Sequence, residues 1–165
     1  MPENTKVREH HYSTLVRWTG DAGTGTSGYL AYRRDHVIEG PGKAAILGSS
    51  DPAFRGDASR WNPEELLVAS LSACHQLWYL HLCSDTGVII RAYEDRAEGL
   101  MIEGADGRAQ FARVVLRPAV VLGAGSDAVL AAALHRRAHE LCFVARSVAF
   151  PVDCEPRVRV VDTAP

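Results

Sequence analysis

Cys74 closes the run Asn62-Pro63-Glu64-Glu65-Leu66-Leu67-Val68-Ala69-Ser70-Leu71-Ser72-Ala73-Cys74. It is the residue whose type and setting most directly suggest chemistry. Only a thiolate attacks an electrophile, and a free thiol ionises near a pKa of about 8.5. Cys74 sits about twelve residues inside a predicted helix, and the favourable field of a helix N-terminus fades beyond the first turn. A reactive Cys74 therefore needs a cation from elsewhere. Arg55 and Arg60, in the loop before the helix, are nearest in sequence. Glu64 precedes Cys74 by roughly 15 Å of helix rise, too far for contact. It could instead hold an arginine by a bidentate bond, with that arginine facing the sulfur. The plainer alternative is a packed thiol, a solvated Arg60 and a glutamate that favours the helix start.

The other candidates are weaker. The four cysteines are Cys74, Cys83, Cys142 and Cys154. No two have Cys-x-x-Cys spacing, which excludes a zinc ribbon or a thioredoxin-type motif. Cys74 and Cys83 fall about 13 Å apart along one helix, beyond the roughly 7 Å that a disulfide spans between Cα atoms. Cys142 ends a different helix and is free of that limit. Cys154 lies in Phe150-Pro151-Val152-Asp153-Cys154-Glu155-Pro156, read as a loop between prolines. His135, His139 and Cys142 share a helix face with acceptable ligand spacing. Arg136 and Arg137 stand between the histidines and oppose a bound cation, so no metal site is expected. His75 and His81 read as helix histidines without the partners of a hydrolytic triad. Gly23-Thr24-Gly25-Thr26-Ser27-Gly28 lacks the lysine and following helix of a phosphate loop, and reads as a flexible hairpin.

The elements that must position these groups are legible. Asn62 can cap a helix, Pro63 suits its first position and Glu65 completes a capping box. The helix is apolar on nearly every face from Leu66 and stops at Gly87. About 24 residues give a length of roughly 36 Å, and such a helix calls for cover by other elements or by a partner chain. Strands are expected at Tyr12–Trp18, Tyr29–Tyr32, His36–Ile38, from Val88 toward Ile102, at Phe111–Val121 and at Val158–Val161. A second helix opens at Ser126-Asp127 and runs to about Cys142. Residues 48–60 read as loop. This order argues α+β and a single domain over residues 1–165. The net charge of −2 offers no electrostatic footprint for nucleic acid or an anionic membrane. No membrane span is expected. The opening Met1-Pro2-Glu3-Asn4-Thr5-Lys6 does not read as a secretory signal, so a cytoplasmic location is expected.

Asn62-Pro63-Glu64-Glu65-Leu66-Leu67 followed by Ser72-Ala73-Cys74 resembles the signature of the OsmC/Ohr family of thiol-dependent hydroperoxide reductases. The spacing from Glu64 to Cys74 matches, and the order of elements agrees across nearly the whole chain. A second family cysteine corresponds to Cys142 in Ala138-His139-Glu140-Leu141-Cys142. The resemblance implies antiparallel sheets around a long buried central helix, in an intertwined homodimer. It also implies Cys74 as the peroxidatic residue, Cys142 as the resolving one, and an arginine held by Glu64 facing the sulfur. Arg55 is the choice for that arginine, with Arg60 behind it. The expected reaction is reduction of an organic hydroperoxide, with an external dithiol as reductant and no cofactor. The chain departs from the family at Phe143, where a proline often follows the second cysteine, and at His75, where an aromatic often follows the first. Two competing functions are a non-catalytic relative that binds an apolar molecule or senses thiols, and a metal protein using His135, His139 and Cys142.

Overall fold

Three short strands open the chain in the computed structural model, which describes residues 7–161. The chain divides into two compact units between Pro63 and Glu64. In the first, β1 (Leu15–Trp18), β2 (His36–Glu39) and β3 (Ile46–Gly48) form an antiparallel sheet in the order β1-β2-β3. Tyr29–Tyr32 is not a strand. The backbone turns there, with Ala31 N–H bonded to the Gly28 carbonyl at 2.9 Å. The Arg34 guanidinium takes the Tyr29 and Tyr32 carbonyls at 3.0 and 2.7 Å and lies over both rings. Those carbonyls are then unavailable to a sheet ladder. The glycine-rich segment closes on Asp21, whose carboxylate accepts from the Gly23 and Gly25 amides at 2.8 and 2.9 Å. Within the expected 48–60 loop, Pro52–Phe54 forms a 3-10 turn capped by Asp51.

The second unit is organised by α1 (Pro63–Thr86). Its start and length agree with the sequence reading. Its end follows from Gly87, which takes φ 76°. Val88 N–H reaches back to the Cys83 carbonyl at 2.9 Å, the longer bond of a Schellman stop. The buried residues of α1 are Leu71, His75, Tyr79 and Cys83, one stripe at intervals of four. By length and composition alone the helix could cross a membrane, a test that a core helix also passes. Its buried stripe nevertheless includes a histidine and packs into the unit's core.

The sheets of this unit contain parallel as well as antiparallel pairs. β4 (Ile90–Asp95), β7 (Pro118–Leu122) and β9 (Arg157–Val160) form one sheet, and β5 (Glu98–Glu103), β6 (Ala109–Leu116) and β8 (Val152–Cys154) form the other. β4/β7 and β5/β6 are antiparallel, while β6/β8 and β7/β9 are parallel. The two long strands expected from sequence are each broken in two, at Arg96-Ala97 and at Arg117. Pro118 has no N–H to continue the ladder. Arg117 secures the corner instead. Its backbone N–H donates to Asp95 at 2.6 Å, and its guanidinium reaches Glu98 at 2.6 Å and Glu155 at 3.0 Å.

Two apolar clusters lie on either side of this corner. Leu71 of α1 packs with Val114 and Leu116. Tyr79 and Cys83 pack with Val88, Val120, Leu122 and α2 (Ala128–Leu141). The stretch of α1 between Leu71 and Tyr79 therefore crosses from one cluster to the other, and it carries Cys74 and His75. Ser72 ties it to the corner by donating to Asp95 at 2.5 Å.

α2 matches its expected span. Asp127 caps it, accepting from the Val129 and Leu130 amides at 2.9 and 3.0 Å, and Cys142 forms its C-cap. The Asp127→Ala variant is expected to lose about 1 kcal/mol of stability. A urea midpoint unchanged from wild type would show that the cap contributes nothing.

Candidate active site

α1 and the C-terminus of α2 bring Cys74 and Cys142 together. Cys74 is partly exposed and Cys142 is buried. The two thiols are close enough for one to bear on the ionisation of the other. Burial, and then the neighbouring Cys74 thiol, push the Cys142 thiol up to about 11. Cys142 is thus held in its protonated form at neutral pH. The local backbone fixes Cys142 from two sides. Its own N–H bonds the His139 carbonyl at 3.3 Å, and its sulfur accepts from the Ala145 amide at 3.4 Å. All four cysteines are free thiols.

Glu64 lies in the first turn of α1, and its Oε2 is buried without a hydrogen-bond partner. Arg55 is exposed in the first unit. Its backbone is left-handed at φ 67°, and its guanidinium carbon lies 5.8 Å from the Tyr29 ring centre. Arg60 is committed to carboxylates of its own unit, 3.6 Å from Asp57 and 3.9 Å from Asp35.

A second constellation escaped the sequence reading. Cys154 ends strand β8 instead of lying in a loop. Its sulfur is 3.6 Å from His75 Nε2, which is 3.0 Å from His135 Nδ1. Burial holds both imidazoles neutral, His75 down at about 4 and His135 at about 3. It also pushes the Cys154 thiol up to about 12. His75 is thus a hydrogen-bonded core histidine, as read from sequence. His135 is fully turned inward, and its companions are His75 and Cys154 in place of His139 and Cys142. Among the described residues this is the one group whose ligand atoms converge. The signal in the sequence was slight: His75 and His135 are buried positions of two helices, and nothing in their spacing pairs them.

The comparisons agree with this architecture. The family of OsmC-like proteins matches residues 56–157. An OsmC-like protein of unknown function from Vibrio cholerae superposes with a TM-score of 0.81 at 32% identity, covering 90% of this chain and 99% of that one. An organic hydroperoxide resistance protein from Legionella pneumophila gives 0.64 at 20% identity, over 92% of this chain and 100% of that one. OhrB of Bacillus subtilis, another organic hydroperoxide resistance protein, gives 0.58 at 20% identity, over 90% and 98%. At 20% identity these last two speak to the fold. No curated protein matches significantly. The chain belongs to the OsmC-like family.

Proposed function

We propose that the protein is a thiol-dependent peroxidase that reduces organic hydroperoxides through Cys74 and Cys142. The proximity of these two thiols, delivered by separate helices, carries the reading. The Cys74 thiolate attacks the outer oxygen of the hydroperoxide. The O–O bond breaks, the sulfur is oxidised to sulfenic acid, and the alkoxide leaves as an alcohol after taking a proton. The Cys142 thiol then condenses with the sulfenic acid, forming the disulfide and releasing water. An external dithiol exchanges with that disulfide and leaves both cysteines reduced. The protonated state of Cys142 suits it to follow Cys74 and not to precede it. The names of the Legionella and Bacillus neighbours favour the same substrate class.

The buried Glu64 Oε2 is an acceptor in need of a donor. A guanidinium would satisfy it, and we assign that role to Arg55. Such a cation would favour the Cys74 thiolate and offset charge on the departing oxygen. Leu77 of α1 is 67% exposed in the single chain, and an intertwined homodimer would cover that face. A cytoplasmic setting would keep the resting thiols reduced.

The direct test is peptide mass mapping after one equivalent of cumene hydroperoxide, with free thiols blocked by alkylation. A Cys74–Cys142 linkage is expected. Both cysteines still fully alkylatable while peroxide is consumed would end the proposal.

A further inference from the structure

We infer that His75, His135 and Cys154 form a binding site for Zn²⁺. The inference uses none of the residues of the proposed peroxidase reaction and stands apart from it. Three rigid elements deliver the donors: α1 brings His75, α2 brings His135 and the end of β8 brings Cys154. His75 Nε2, His135 Nδ1 and Cys154 Sγ all lie within 4.8 Å of one another. Zinc binds imidazole nitrogen at 2.0–2.1 Å and thiolate sulfur at about 2.3 Å, so a tetrahedral ion sets two nitrogens about 3.4 Å apart and nitrogen about 3.6 Å from sulfur. The structure has 3.0 Å between the nitrogens and 3.6 Å from His75 to the sulfur. To admit the ion the nitrogens must part by a few tenths of an ångström and each ring must turn in its plane, so that its lone pair points at the metal instead of at the other ring.

The rings are nearly parallel, 5° apart, with centroids at 5.3 Å. With the facing nitrogens at 3.0 Å, they lie end to end and share one hydrogen bond. That single bond is a poor structural reason to bury two histidines. His75 Nδ1 and His135 Nε2, the outer nitrogens, are buried with no partner. The Tyr79 ring stacks on His135 at 3.8 Å and fixes its plane.

The charges suit a divalent ion. A Cys154 thiolate supplies one negative charge. Asp95 lies close enough to bear on both His75 and Cys154. It is held in place by Ser72 and the Arg117 amide. The Arg117 guanidinium is engaged by Glu98 and Glu155. On binding, Cys154 forms the Zn–S bond and releases its proton to solvent. The proton between the facing nitrogens moves to whichever outer nitrogen lacks one. No electron is transferred. Three protein ligands leave one corner of the tetrahedron for water or another small ligand.

The test uses the full chain, purified, reduced and metal-stripped, titrated anaerobically with Zn²⁺ against a chromophoric indicator. Co²⁺ serves as the spectroscopic substitute. One Zn²⁺ per chain is expected, with a Kd below about 1 μM and a sulfur-to-cobalt charge-transfer band. Cys154→Ser should remove the band and weaken Zn²⁺ binding at least about 100-fold. A Cys74→Ser/Cys142→Ser variant should bind as wild type does. Zn²⁺ should also slow alkylation of Cys154 in the wild-type protein, a readout that depends on no variant. The inference fails if no Zn²⁺ binds at micromolar concentration, or if Cys154→Ser binds as well as wild type. It fails equally if the double serine variant loses the ion, which would move the metal to the redox pair.

Discussion

Cys74→Ser is expected to lower dithiol-supported consumption of an organic hydroperoxide by at least about 1000-fold, because the attacking atom is removed and no other thiol takes its place. The other three cysteines are poor substitutes. Burial raises the Cys83, Cys142 and Cys154 thiols, so each holds its proton at neutral pH. Cys142→Ser should behave differently. Its first turnover with peroxide should proceed, since Cys74 remains, and should leave a sulfenic acid that a dimedone-type reagent can trap. Turnover supported by a dithiol should then stall or proceed only by direct attack of the reductant on the sulfenic acid. Stopped-flow measurement of the first turnover separates the two variants. Equal loss of that first step in both would mean that Cys142 takes part in peroxide cleavage itself. Unchanged consumption in Cys74→Ser would remove the peroxidase assignment while leaving family and fold intact.

What could be read from sequence depended on how local the cause was. The ends of α1 and α2 were legible because their signals are local: Asn62-Pro63 and Gly87 for one, Asp127 for the other. The corner in the sheets was not, because it depends on Arg117 meeting Asp95, Glu98 and Glu155 across separate strands. A reader of the chain sees two long β patterns and a proline, and nothing that names the partners. Tyr29–Tyr32 failed for a related reason. Its aromatic residues have strand propensity, but Arg34 claims their carbonyls and rings.

The candidate sites divide along the same line. Cys74 was found from its helix and from a motif, and Cys142 from its place at the end of the second helix. His135 was noticed, but with the wrong companions. Helical spacing joined it to His139 and Cys142, whereas burial turned it toward His75 and Cys154. Cys154 was read as a loop residue because prolines flank it. Pro151 and Pro156 in fact bracket a strand of three residues, short enough that its pattern is lost between them.

The buried histidine pair also makes the stability of the metal-free protein sensitive to acid, and the sign follows from burial. Desolvation is the main cause at both rings; the Asp95 charge partly opposes it at His75, while His139 adds to it, and His75 adds to it at His135. The native pKa values therefore fall from the ordinary 6.5 to about 4 and about 3. Above pH 6.5 both states are neutral and the pair contributes no pH dependence. As pH falls below 6.5 the unfolded chain takes up protons that the native protein refuses, so stability drops. The slope approaches about 1.4 kcal/mol per pH unit for each histidine. Between pH 7.5 and pH 5 the pair should cost about 4 kcal/mol, measured by urea unfolding with a chelator present. His135→Gln removes one of the two groups, so its stability should fall less steeply over the same range even if it starts lower. A wild-type stability that held level or rose on acidification, or a variant with an undiminished slope, would mean that the two rings accept protons in the native core and that the pair is not sealed from water.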